Sequence, residues 1–291
     1  LRVSEAEIDS LAEQLELDRE RLKVGLGTIT NVYATESRYS LAETNVIEAD
    51  FALRDARIAL KELTSQEPGE LSMLADGKPP LDPPSPDDVN FWVTESLQNN
   101  LSYLAAQKAV EIAEREVSRI KAGHLPTLDL VASHSNSDQD GSLTGSGRIN
   151  ETTDIGVQLD IPLIQGWGVV SGTREARSLY QAALNDQESI RRSVDRRSRA
   201  AYQAVISGIS RLKALEKAVI AGNSTVEAKQ EGFKAGVNTN VEVLDAVRDL
   251  YSSQRDYIDA VYQFMLSTLK LKQVAGKLEV VDLEKVNSWL Q

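Results

Sequence analysis

The sequence predicts a mainly α-helical fold, built from long antiparallel, coiled-coil-like helical hairpins with one β-hairpin and a small mixed region. All eight prolines lie between Pro68 and Pro162, so the segments on either side carry no residue that breaks a helix interior. In those segments apolar residues recur at spacings of three and four, in narrow stripes typical of coiled coils. Between them, two segments alternate apolar and polar residues, as half-buried strands do.

The composition narrows the class of function. Of 291 residues, 41% are hydrophobic and 26% charged, but only 5% are aromatic, which is little for one large globular core. The net charge of -12 argues against general nucleic-acid binding, which needs a basic surface. The chain has no cysteine, which excludes disulfides and thiolate metal sites and leaves the compartment open between the cytosol and a bacterial envelope.

Residues 1–65 are predicted to form a helical hairpin that is incomplete at its start. Ile8, Leu11 and Leu15 mark its first helix, and no capping residue precedes them, so we expect the chain to lack its natural beginning. Gly25 suits the αL position that ends a helix.

A similar turn sequence occurs near the other end of the chain. The offset that aligns Gly25 with Gly236 aligns further identical residues, which are Lys23 and Lys234, Thr28 and Thr239, Val32 and Val243, Ile47 and Ile258, Ala49 and Ala260, Leu60 and Leu271, and Lys61 and Lys272. Thr239, followed three residues later by Glu242, has the pattern of a capping box. We interpret Gly25 and Gly236 as the tip turns of a duplicated hairpin.

Two segments separate the hairpins. Residues 66–98 form the first segment, which is rich in proline and glycine. A helix is predicted from about Asp88 to Lys121, with a break at "QNN". It begins within the first segment and continues through the second, residues 99–123.

Residues 124–165 are predicted to form a β-hairpin. One face of the first strand carries Leu128, Leu130 and Ala132, and one face of the second carries Ile155, Val157, Leu159 and Ile161. The linker "DQDGSLTGSGRINE" is predicted to be a long exposed loop. One apolar and one polar face over about nine to eleven residues suits a transmembrane barrel strand. An ordinary half-buried soluble hairpin gives the same alternation.

Residues 166–276 are predicted to form the second hairpin, and residues 277–291 a short final segment. The first helix of this second hairpin, from about Val170 to Ala235, is expected to be nearly continuous. Gly208 and Gly222 each destabilise it by about 1 kcal/mol relative to alanine, which would allow a bend at "AGNS". The predicted stripe of its second helix is Leu244, Val247, Tyr251, Ile258, Tyr262, Met265 and Leu269.

Four strings resemble the TolC family of bacterial outer-membrane channel-tunnels, which includes outer membrane efflux and type I secretion proteins. They are "GHLPTLDL" (123–130), "LDIPLIQGW" (159–167), "VGLGTITNV" (24–32) and "AGVNTNVEVLDA" (235–246). The resemblance implies a homotrimer in which each protomer gives four strands to a shared barrel, while its helices continue through an equatorial region, here 66–98 and 277–291, into a periplasmic α-barrel. The chain offers one strand hairpin, so we expect a truncated form without the counterpart of roughly residues 123–211.

The function implied by the resemblance is that of a passive exit duct in the bacterial outer membrane and periplasm, for efflux or type I secretion. Its implied partners are a periplasmic adaptor protein, an inner-membrane pump and outer-membrane lipid, with no nucleic acid, cofactor, metal or catalytic residue. The sequence does not indicate the cargo. The alternative is a soluble, coiled-coil-rich structural or adaptor protein of the cell envelope.

The family resemblance also assigns roles at the tips. An acidic ring that narrows the pore falls on Glu242 and Asp245, where the like charges of three copies would raise each other's pKa and attract multivalent cations. From the residues alone, Glu242 only caps its helix and Asp245 is solvated.

Tip gating contacts fall on Thr30, Asn31, Phe233 and Asn238, and the strand-helix junctions on Pro126 and Pro162. Where the family has an acidic residue, a tyrosine and an arginine, this chain has Asn31, Phe233 and Asn238. Phe233 cannot donate a phenolic hydrogen bond and Asn238 cannot form a bidentate ion pair, so we expect the closed state to be latched differently.

Other signals favour structural roles. The arginines in "IRRSVDRRSRA" spread around a helix and are typical of a solvated, ion-pairing surface. His124 and His134 lack neighbouring ligands at metal-binding spacing. Trp92 is interpreted as a packing residue, and Trp167 as a packing or membrane-interface residue. "GSLTGSG" lacks the strand and helix context of a phosphate-binding loop.

Overall fold

The computed structural model describes residues 1–72, 74, 80–139 and 147–290. Its helices are α1 (Arg2–Lys23), α2 (Ile29–Thr64), α3 (Val89–Asn99), α4 (Leu101–Lys121), α5 (Gly168–Lys234), α6 (Asn240–Val274) and α7 (Val280–Asn287), and its strands are β1 (Thr127–Gln139) and β2 (Arg148–Asp160). The predicted mainly α-helical class is confirmed. The chain divides into two compact units, one of Leu1–Ser96 with Arg196–Gln291 and one of Leu97–Asp195.

In the first unit, a small core lies close to the two tip turns. It buries apolar side chains of α1, α2, α5 and α6, namely Leu11, Ala42, Phe233, Val243, Leu244 and Val247. The predicted stripe of α1 is confirmed, since Leu11 and Leu15 are both buried. Glu7 is buried as well, and its carboxylate accepts a hydrogen bond from Arg255 at 2.6 Å, which ties α1 to α6.

A larger core of the first unit is formed mainly by α5 and α6. Its buried members are Trp92, Ala201, Val205, Leu212, Ala260, Val261, Phe264, Met265, Leu271 and Ala275. Trp92 packs here as predicted, and its ring nitrogen donates to the carbonyl of Pro86 at 2.9 Å. Near the same core, Leu74 and Leu290 form an antiparallel bridge.

The predicted stripe of α6 is only partly correct. Leu244, Val247 and Met265 are buried, but Ile258 and Tyr262 are 43% and 42% exposed in the single chain. The buried face of the later turns is centred instead on Val261 and neighbouring residues, because those residues face α5.

The expectation of a nearly continuous helix is confirmed, since α5 runs without interruption for 67 residues and includes Gly208 and Gly222. Its glycines serve packing: a Cβ atom placed on Gly222 would lie 3.1 Å from the Leu250 side chain, and one on Gly208 would lie 3.3 Å from Phe264. Both glycines therefore let α6 approach α5 closely, which offsets their lower helix propensity.

In the second unit, the predicted helix break at "QNN" is confirmed. The Asn100 side chain accepts hydrogen bonds from the backbone of Ser102 and Tyr103 and so caps the start of α4. Further on, α4 packs against the beginning of α5, where Gly172 lies against Ile120.

The β-hairpin is longer than predicted. Its antiparallel ladder runs from the pair Thr127 and Asp160 to the pair Gln139 and Arg148, and each strand has 13 residues. The ends of the predicted linker are thus strand, because the ladder continues through residues 138–139 and 148–151. Residues 140–146, which include most of "GSLTGSG", lie outside the described residues.

Candidate functional site

The two tip turns have the same backbone geometry. Gly25 and Gly236 have φ angles of 77° and 79°, in the region that favours glycine. In the first turn the Leu26 amide donates to the carbonyl of Arg21 at 2.8 Å, and in the second the Val237 amide donates to the carbonyl of Gly232 at 2.7 Å. These hydrogen bonds satisfy carbonyls at the helix ends.

The helices that follow the turns begin with threonine caps. The Thr28 hydroxyl accepts from the Asn31 amide at 3.3 Å. Thr239 forms the predicted capping box with Glu242: the hydroxyl accepts from the Glu242 amide at 3.3 Å, and the Glu242 carboxylate accepts from the Thr239 amide at 2.9 Å. The second tip is therefore capped by two reciprocal hydrogen bonds.

Glu242 is held by more than its cap. Its carboxylate also accepts from the Asn238 side chain at 2.9 Å and lies 3.5 Å from the Lys229 ammonium. These contacts lower the pKa of Glu242, with the hydrogen bond from Asn238 as the largest cause and that from the Thr239 amide second. Within one chain this direction is opposite to the effect expected of crowded carboxylates.

Asp245 is ion-paired rather than merely solvated. One of its carboxylate oxygens lies 2.9 Å from an Arg38 nitrogen on α2 and 3.3 Å from an Arg248 nitrogen on α6. Both predicted ring carboxylates thus lie next to basic side chains of the same chain, which partly offset their charge.

The four residues predicted as gating contacts have different surroundings in the structure. Phe233 is buried, and the Arg21 guanidinium lies over its ring at 4.5 Å, a cation-π contact between α5 and α1. Asn238 binds Glu242, as described above. Thr30 is exposed, whereas Asn31 is half-buried and its carbonyl accepts from the side chains of Thr35 and Asn240.

A buried polar cluster lies between α1, α2 and α6 and was not predicted. It consists of Gln14, Asp18, Thr35 and Asn240. The Asp18 carboxylate accepts from the Thr35 hydroxyl at 2.6 Å, from the Asn240 amide at 2.9 Å and from the Gln14 amide at 3.3 Å. One feature of the sequence could have indicated this cluster: Asp18 is a charged residue that continues the apolar stripe of α1, in which residues recur at spacings of three and four.

The β-hairpin exposes all of its described strand residues in the single chain. The register places the two predicted apolar stripes on one face, where Leu128 pairs with Leu159 and Leu130 with Val157. Pro126 immediately precedes β1, and Pro162 follows the end of β2.

In residues 1–72, 74, 80–139 and 147–290, no group of three or more His, Asp or Glu side chains is arranged to hold a metal ion. Within that same part of the chain, none of the helices is both long and apolar enough to span a bilayer.

Comparisons with known proteins agree on one family. The sequence model of the outer membrane efflux proteins matches residues 92–277. The chain is 34% identical, over 98% of its length, to the outer membrane protein TolC of Vibrio cholerae, and 27% identical, over its whole length, to the proteases secretion protein PrtF of Dickeya chrysanthemi. It spans 66% and 63% of these two relatives.

A solved structure shares the fold. The outer membrane protein VceC of Vibrio cholerae superposes with a TM-score of 0.77 at 18% identity, over 94% of this chain and 65% of VceC.

Proposed function

Because this chain belongs to the outer membrane efflux protein family, we propose that the intact protein is a passive exit duct of the bacterial outer membrane and periplasm, serving efflux or type I secretion. The β-hairpin carries this proposal. Its apolar face, with Leu128 and Leu130 opposite Leu159 and Val157, is exposed in the single chain and needs lipid to cover it, while the other face is polar and suits water. This arrangement favours a duct over a soluble adaptor.

The assembly that we propose is a homotrimer. In the part of the chain that the structure describes, β1 pairs with β2 along one edge, and lipid does not tolerate the unpaired outer edges. Further strands, from other copies or from other parts of the intact protein, are therefore needed to satisfy them. A periplasmic adaptor and an inner-membrane pump complete the proposed system, and the duct itself needs no catalytic residue.

Within this duct, Glu242 and Asp245 are proposed to line the narrowest point, near the two tips. Their contacts with Lys229, Arg38 and Arg248 lower the net negative charge of that ring. The gating contacts are proposed at Phe233 and Asn238, together with Thr30 and Asn31. Within one chain, Phe233 packs under Arg21 and Asn238 donates to Glu242, so these two side chains are held by intrachain contacts and offer no arginine for an interchain ion pair.

The proposal is tested by reconstituting the intact protein into planar lipid bilayers. We expect detergent-stable trimers with ion conductance that is low while the tips are closed. An Asn238→Arg variant is expected to change the open fraction, because it removes the hydrogen bond to Glu242 and adds a cation beside it. A protein that is monomeric and soluble without detergent, and that never conducts, would refute the duct.

A further inference from the structure

The second tip turn brings Asn238 back against the end of α5. The backbone amides of Val237 and Asn238 both donate to the carbonyl of Gly232, at 2.7 Å and 3.1 Å. Because of these hydrogen bonds, the Asn238 side chain lies over Gly232, which has no Cβ atom. A Cβ atom placed on Gly232 would overlap with the side-chain oxygen of Asn238 and lie 2.9 Å from its Cγ atom. The glycine therefore leaves the space that this side chain occupies.

From that space the Asn238 side chain reaches Glu242. Its amide nitrogen donates to one oxygen of the Glu242 carboxylate at 2.9 Å, and the backbone amide of Thr239 donates to the same oxygen at 2.9 Å. The Lys229 ammonium lies 3.5 Å from the other oxygen. A cation that binds this carboxylate must displace the two donors or approach the ammonium, so these contacts weaken cation binding.

The first tip has its glycine at the other of the two facing positions. The offset of the internal repeat aligns Arg21 with Gly232 and Gly27 with Asn238. In the first tip the side chain is therefore on the helix and the glycine is in the turn, where a Cβ atom on Gly27 would lie 3.2 Å from the Arg21 Cβ atom. The position aligned with the carboxylate of the second tip is Asn31. The second tip thus combines a helix glycine, a turn amide and a carboxylate, whereas the first tip does not.

We propose that Gly232 is a positioning residue that lets the Asn238 amide rest on the Glu242 carboxylate and so weakens the binding of divalent cations at the narrowest point of the duct. In Gly232→Ala, the new methyl group would lie 3.5 Å from the Asn238 Cβ atom, which is an ordinary contact. Only the end of the Asn238 side chain therefore has to move, and the backbone can stay in place. The effect on cations rests on the proposed function, whereas the positioning of Asn238 does not.

The first test is block of single-channel conductance by Mg²⁺ in the intact protein. In Gly232→Ala the carboxylate of Glu242 loses the Asn238 donor, so we expect the half-blocking concentration to fall by about threefold or more. In a Glu242→Gln background the same change should have no effect, because the carboxylate is absent. Gly168→Ala is the matched control, since it lies at the start of the same helix and its Cβ atom would meet nothing within 4 Å.

An unchanged half-blocking concentration in Gly232→Ala, or an equal fall in the Glu242→Gln background, would overturn the proposed control of cation binding. Absence of conductance in the parent protein would instead contradict the proposed duct, and the second test then decides the positioning of Asn238 alone.

The second test is a double-mutant cycle, read as the melting temperature of the intact protein in detergent. Asn238→Ala should lower the melting temperature of the parent protein, because it removes the hydrogen bond to Glu242. The same change should leave the melting temperature of Gly232→Ala unaltered, because that hydrogen bond is already lost. An equal fall in both proteins would show that Asn238 does not depend on Gly232, which overturns the proposal.

A further variant decides the matter if Gly232→Ala does not fold. Gly232→Ala combined with Asn238→Gly has its side chain on the helix and its glycine in the turn, as the first tip does with Arg21 and Gly27. We expect this variant to fold and to be blocked by Mg²⁺ at the same concentration as Asn238→Ala. If it also fails to fold, the added methyl group collides with the backbone and not with the Asn238 side chain, and the proposal is overturned.

Discussion

Replacing Arg38 tests the electrostatics of the tip most directly. Its guanidinium lies 2.9 Å from the Asp245 carboxylate, and the two side chains are 33% and 42% exposed. Arg38→Gln removes the charge and keeps a polar side chain, while Arg248 remains 3.3 Å from Asp245. Since the pair is partly exposed, its loss should cost at most about 1 kcal/mol of stability. The larger expected effect is stronger block of conductance by divalent cations.

The size of that effect follows from Coulomb's law. A dication bound by Asp245 would lie within about 6 Å of the Arg38 guanidinium, and their repulsion is about 1.4 kcal/mol in a water-like dielectric. Physiological salt reduces it to roughly half. Removing the guanidinium should therefore tighten dication binding by about threefold to tenfold for each arginine.

The assay is single-channel conductance of the intact protein with increasing Mg²⁺. We expect the half-blocking concentration to fall at least about threefold in Arg38→Gln. Arg54→Gln is the matched control, because Arg54 is paired with Asp50 on the same helix, about 24 Å further along. If Asp245→Asn weakens the block but Arg38→Gln leaves it unchanged, charge compensation by Arg38 is refuted.

The remaining predictions concern stability and assembly. Thr239→Val should lower the free energy of unfolding by about 1 kcal/mol, measured by urea titration, because it removes the cap acceptor. Phe264→Ala should lower it by about 3–5 kcal/mol, since this ring is 2% exposed in the larger core. The pKa of Glu242 lies below its ordinary value of 4.5, so its charged form stabilises the fold above that pH and the stabilisation is lost as pH falls through the lowered pKa. Glu242→Gln should therefore flatten the decline of the melting temperature on acidification. Phe51→Arg should reduce the trimer fraction in size-exclusion chromatography, because this exposed ring is expected to face a neighbouring copy; an unchanged profile would contradict that.

The tip turns could be predicted because their hydrogen bonds are local. A glycine in the αL region and a threonine three residues later close the turn and start the next helix, and every partner lies within about six residues. Gly25 and Gly236 accordingly have nearly the same φ angle. The helix break at Asn100 was predictable for the same reason.

The polar cluster could not be predicted, because its members come from three helices far apart in sequence. Asp18 on the stripe of α1 indicated an unusual core position, but Asn240 could have been an ordinary first-turn residue. Only the packing of α6 between α1 and α2 shows that these side chains meet. The ion pair of Arg38 with Asp245 depends on that packing too.

Glycines on α5 show a related limit of helix propensity. Taken alone, Gly222 weakens a helix, and the sequence therefore allowed a bend at this position. In the structure a larger residue would contact Leu250, so the local loss is offset by closer packing of two helices. Tertiary packing therefore explains a glycine that local helix propensity alone does not.

The exposed apolar residues of α2 and α6 follow the internal repeat. Ile47 aligns with Ile258, and Phe51 aligns with Tyr262, yet all four are at least 42% exposed in the single chain. Helix α2, described along its whole length, buries only Val32, Thr35 and Ala42. Apolar side chains kept at matching positions of both repeats, and left uncovered in one chain, indicate contacts made outside that chain. The predicted apolar stripe of α6 therefore does not match the buried residues of a single chain. Apolar residues at helical spacing mark every surface that becomes buried in an assembly, and the core of one chain is only part of that surface.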